Sequence, residues 1–224
     1  MRYSLWMIFL LLHSQLGISE STCYGTTARG RLERGVQLPG KGRNFASYSK
    51  VAEMLGRNFV HSTVRKIVIA AYKDLEARQP GKVFRYGETG FRRGGRFRPH
   101  KTHQNGLSVD FMVPVLDRRS RSVYLPSSYS NRFGYAIEFD RHGRSGGYRI
   151  DFTAMAAHLV SLDRAARAHG ARLWRVIFDP ALQPYLLNTK YGAYLKSRIR
   201  FSTKRSWVRH DEHYHVDFAI RCRK

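Results

Sequence analysis

The chain has 224 residues, 40 of them Lys or Arg and 16 Asp or Glu, which gives a formal charge of +24. Apolar residues make up 42% and aromatics 13%, which excludes a disordered chain and leaves room for one domain or two small ones. So much positive charge implies an anionic partner: nucleic acid, membrane head groups, or an envelope rich in carboxylates and phosphates.

The first residues, MRYSLWMIFLLLHSQLGISES, carry Arg2, an apolar run from Leu5 to Leu12, then small and polar residues. A bilayer takes about 20 apolar residues to span, so this run is too short. Residues 1–21 have the layout of a secretory signal peptide cut near Ser19 to Ser21, with 22–224 expected to form a single exported domain. No later segment has the length and apolarity for stable membrane insertion. Cys23 and Cys222 bracket the remainder; they either form one disulfide that ties the termini together or stand as two thiols. They do not make a zinc ribbon, which needs four closely spaced ligands.

Gly, Pro and Arg concentrate in Gly25 to Arg43, Gly87 to Pro99 and Asp140 to Gly147, which read as surface loops. HSTVRKIVIAAYKDLEAR, with Val64, Ile67, Val68, Ala71 and Leu75 at helical spacing, predicts a helix ended by Pro80–Gly81. DFTAMAAHLVSLDRAARAHG predicts a second, capped by Asp151 or Thr153 and closed by Gly170. KVFRY, SVDFMVPV, YAIEF, RLWRVIFD and HYHVDFAIRC read as strands. The mixture predicts an α+β domain with a small, mostly antiparallel sheet flanked by helices and long loops.

Five of the ten histidines fall in two short clusters, PHKTHQNGLSVDF and HDEHYHVDF. Asn105–Gly106 is a strong hairpin signal. With those two residues at the turn, His103 and Asp110 become diagonal neighbours on one face, although their odd spacing would separate them on a continuous strand. In the second cluster His213 and His215 point the same way, with Tyr214 and Val216 towards the core. His103, Asp110 and His215 then make a two-nitrogen, one-oxygen set suited to tetrahedral Zn²⁺ with a water in the fourth position. Glu212 precedes His215 by three residues; strand alternation turns it away from the face of His213 and His215 unless a bulge intervenes.

The spacing His100-x-x-His103-x-x-Gly106-x-x-x-Asp110, followed by His210-x-x-His213-x-His215, resembles the penicillin-insensitive murein endopeptidases. These belong to a wider group of zinc peptidases that includes lysostaphin-type enzymes and D-Ala-D-Ala peptidases. The resemblance extends to TCYGTTARGRLERGVQLP and RVIFDPAL, and so covers most of the chain. It implies that His103, Asp110 and His215 hold Zn²⁺, that His213 is the base or proton carrier, with Glu212 its competitor at the Glu-x-x-His spacing of the group's D-Ala-D-Ala peptidases, and that His100 and His210 are supporting polar groups. It also implies a periplasmic enzyme hydrolysing D-alanyl cross-links of peptidoglycan.

Two other readings stay open on the residues alone. One keeps the zinc site but trims a terminal D-amino acid, as a D,D-carboxypeptidase does. The other is a non-catalytic basic module for anionic glycan or nucleic acid, although the export signal and the lack of a nucleic-acid motif argue against nucleic acid. Arg92, Arg93, Arg96 and Arg98 read either as grips for substrate carboxylates or as a solvated loop. Trp207 reads equally as cleft wall or core. SYSK at Ser47 to Lys50 lacks the partner motifs of a serine acyl-enzyme and is set aside.

Overall fold

The computed structural model describes residues 20–204, 206 and 208–224. All but the last two residues of the expected signal peptide lie outside the described residues, and so does Trp207.

Both expected helices form. In Ser62–Arg78 the buried residues Val64, Ile67, Val68, Ala71, Tyr72 and Leu75 recur every three or four positions, and His61 caps the start by accepting from the Thr63 N–H. Phe152–Ala168 starts at Asp151, whose carboxylate accepts from the Ala154 N–H at 3.0 Å. The two helices pack against each other and cover one face of the main sheet.

That sheet has five strands in the order Arg172–Ile177, His213–Ala219, Ser108–Met112, Phe84–Tyr86 and Phe45–Ser47. All neighbouring pairs are antiparallel except the last, so the class is α+β with a mostly antiparallel sheet. Phe111 and Tyr214 point at the helices: their rings stack at 5.5 Å, and Phe111 meets His158 at 4.7 Å. Alternation therefore sends Ser108 and Asp110, and His213, His215 and Asp217, to the opposite face.

Three expectations change. No hairpin forms about Asn105–Gly106. Residues 99–107 are a loop, and Ser108–Met112 pairs with the strands on either side of it in the sheet instead. Backbone bonds explain this: the Gly106 carbonyl accepts from His61 N–H at 2.9 Å, and Gln104 bonds to Thr27 and Gly95, so the loop is moored to other loops and to a helix start. Nor is YAIEF a strand. Its N–H groups serve local turns, Ala136 to Asn131 and Ile137 to Gly134, while Phe139 N–H donates to Asp211. Finally, the stretch from Gly25 to Arg43 is not all loop, because Gly30–Glu33 pairs with Thr22–Gly25.

Candidate active site

The register of the sheet builds the centre of the site. His215 lies directly opposite Asp110 on the neighbouring strand, with Asp217 opposite Ser108. Directly opposed side chains on one face are close enough to bond. His215 Nδ1 is 2.8 Å from Asp110 Oδ1, and its Nε2 is 2.9 Å from Asp217 Oδ1.

The loop at 99–107 adds two more rings. His103 adopts φ 67° and donates from Nδ1 to the Thr89 carbonyl at 2.9 Å, which aims Nε2 at Asp110 Oδ1, 3.3 Å away. His100 bonds Glu88 through Nε2 at 2.5 Å and sets Nδ1 3.9 Å from Asp110 Oδ2. His213 bonds Glu212 through Nδ1 at 2.7 Å, with Nε2 3.9 Å from the same Oδ2. Four imidazoles thus turn an inner nitrogen to one carboxylate and tie the outer nitrogen to an oxygen. His210 packs its ring 4.5 Å from that of His213. All six residues expected at the site come together.

The electrostatics fit a cation at this point. Burial pushes the pKa of His103 down, so its Nε2 carries a lone pair. That nitrogen is buried, has no hydrogen-bond partner, and faces a carboxylate oxygen that is also an acceptor. Burial works to raise Asp110, but His213 and the hydrogen bond to His215 hold the carboxyl well below its usual range. Two acceptors pressed together in a dry site are costly unless a cation lies between them. His100, His103 and Asp110 have ligand atoms within 4.8 Å of one another, and His215 Nδ1 joins them through Asp110 Oδ1. Imidazole nitrogens with a carboxylate suit zinc and similar divalent metals.

A cleft of about 630 Å³ opens onto this centre, lined by His100, His210, Glu212, His213 and His215 among others. Glu212 does not turn away as alternation predicts. It precedes the first strand residue, lines the cleft and holds Nδ1 of His213. Burial works against a proton on His213, but Glu212 and then Asp110 raise its pKa, whereas burial and His213 push His210 down to about 4. Arg92, Arg93, Arg96 and Arg98 do not line this cleft; Arg57, Arg132 and Arg175 do.

Four further residues shape the centre and were missed in the sequence. Tyr135 donates to Asp110 Oδ2 at 3.1 Å and accepts from the Glu88 N–H at 2.9 Å. Glu88 anchors His100 and is held by Arg57, with an Nη2–Oε2 distance of 2.8 Å. Glu88 lies in no periodic stretch and Tyr135 opens YAIEF, which read only as a strand, so no pattern marked either as a site residue. Asp217, two residues past His215, was readable from alternation alone.

The family model for penicillin-insensitive murein endopeptidases matches residues 23–224, nearly the whole chain. No curated protein matches the chain. The chain belongs to the penicillin-insensitive murein endopeptidase family.

Proposed function

We propose, with that membership as premise, that the protein is an exported, zinc-dependent endopeptidase acting on D-alanyl cross-links of peptidoglycan in the periplasm. In this reading residues 1–21 are a signal peptide and 22–224 a single catalytic domain. His103 Nε2, Asp110 Oδ1 and His215 Nδ1 would hold the metal. The observation that carries the proposal is the orphaned His103 nitrogen facing Asp110 Oδ1 at 3.3 Å, buried directly behind a cleft lined by His100, His213 and His215.

Bound Zn²⁺ would supply Lewis acidity, bringing a water's pKa towards about 7 and polarising the scissile carbonyl. Glu212 fixes the proton of His213 on Nδ1, so Nε2 is free to take a proton from the attacking water and return it to the leaving amine. His100 and His210 flank that position and can steady the developing oxyanion. Tyr135 donates to Asp110 Oδ2, so Oδ1 is the oxygen that would serve a metal.

A carboxypeptidase reading keeps one point in its favour. Arg132 is exposed at the cleft and makes no ion pair among the described residues, so it can receive a terminal carboxylate. Cross-linked dimeric muropeptide and free pentapeptide, digested side by side, separate the two readings by product. Zinc content is measured on the same samples. Wild type should cleave the dimer and hold zinc; His215→Ala should lose both, and His213→Ala should keep zinc while losing about 10²–10⁴-fold in rate. Uncut dimer with cut pentapeptide favours the carboxypeptidase; wild type without zinc or hydrolysis sinks both.

A further inference from the structure

The face of the sheet that carries the site holds two cross-strand rows. One runs Ile177, His215, Asp110; the next runs Arg175, Asp217, Ser108. In the second row every member bonds its neighbour. Asp217 Oδ1 accepts from Ser108 Oγ at 2.6 Å and from His215 Nε2 at 2.9 Å, and Oδ2 accepts from Arg175 Nη2 at 2.6 Å and Nε at 3.0 Å. The carboxylate is completely buried, yet both oxygens are satisfied.

Arg175 reaches this row only because its strand is bulged. Leu173 pairs with Phe218 and Arg175 with Asp217, so Trp174 is an extra residue. Without the bulge, position 175 would pair with Val216 and point at the helices. A local irregularity thus re-aims a guanidinium at a buried carboxylate whose other oxygen grips a ring of the site.

We propose that Asp217, clamped by Arg175 and Ser108, is a positioning residue that fixes His215 as an Nδ1 ligand. The proton of His215 stays on Nε2, because Asp217 is pinned on its far side and cannot follow a ring flip. The lone pair on Nδ1 then points at Asp110 Oδ1, where His103 Nε2 also converges. A carboxylate behind a histidine ligand holds the ring's orientation and raises its basicity. The inference rests on the proposed metal site and deepens it.

The test uses the purified protein and measures the zinc dissociation constant by competition with a chromophoric chelator, with the visible spectrum of the Co²⁺ form as a second readout. Asp217→Asn keeps the shape but can present an amide N–H₂ to Nε2, and removes the charge that Arg175 holds. It should weaken zinc binding by about 10–100-fold and shift the Co²⁺ bands while the thermal unfolding curve stays cooperative. Arg175→Lys and Ser108→Ala loosen the clamp without touching His215 and should weaken zinc in the same direction; they decide the matter if Asp217→Asn does not fold. A folded Asp217→Asn protein, or both clamp variants, with the wild-type dissociation constant and Co²⁺ spectrum overturns the inference and leaves the proposed function standing. A wild type that takes up no metal overturns both.

Discussion

Four rings surround His158: Tyr72 stacks on it at 5.0 Å, Phe111 meets it edge-on at 4.7 Å, and Phe84 and Tyr214 close the cage. The Tyr214 hydroxyl partners Nδ1, while Nε2 is buried without a partner. Burial pushes the pKa of this histidine down to about 3, so it is neutral in the folded chain. In the unfolded chain it titrates near about 6.5. Between those values the unfolded state binds more protons, so this part of the stability is whole above about pH 6.5 and drains as pH falls towards the folded value. One such proton makes a slope of up to about 1.4 kcal/mol per pH unit. His158→Asn keeps an acceptor near the position of Nδ1 and has no charge to gain. Urea unfolding at pH 7 and pH 5 should show the wild type losing about 2 kcal/mol more than the variant. Equal losses would mean that His158 is not held neutral by burial. The same cage separates the roles of two histidine classes: His158 on the helix side packs, while those on the far face of the sheet meet Asp110.

At the scale of elements, both long helices and four of the five expected strands were legible, because periodicity and caps are local signals. Alternation also placed His213 and His215 on one face. The hairpin was not legible, since the bonds that decide its loop come from His61, Thr27 and Gly95, all distant in sequence. The same is true of Glu88 and Tyr135, which long-range contacts bring to the site. Gly106 remains decisive, for a different reason than a hairpin turn. It sits at φ 75°, and a Cβ there would lie 2.7 Å from the His61 nitrogen and 2.6 Å from Leu32 Cδ2. Gly106→Ala therefore strains the backbone and pushes the loop carrying His103 off the helix start, at a cost of about 1–3 kcal/mol. Thermal unfolding should show a lower midpoint, and metal affinity at the proposed site should fall with it. Unchanged stability would show that the loop has room to shift there.

The whole molecule is closed by Cys23–Cys222, bonded across a sequence separation of 199. Backbone bonds beside it, Gly25 N–H to Arg223 and Arg223 N–H to Cys23, fasten the same two ends. The charge of +24 acts over the entire closed body, not only at the cleft. The cleft carries only a small part of that charge, with Arg57, Lys101, Arg132 and Arg175 set against Glu88 and Glu212. A small soluble muropeptide entering it meets only these few charges, whereas an insoluble wall presents carboxylates to the full basic surface. Salt shortens the reach of that surface from about 10 Å at 0.1 M to about 3 Å at 1 M. Hydrolysis of intact peptidoglycan should therefore fall steeply as NaCl rises across that range, through loss of docking and with little change in saturated rate. Cleavage of dimeric muropeptide should change far less under the same conditions. Matching salt curves for the two substrates would place the electrostatic effect inside the cleft and leave the surface charge without a part in docking to the wall.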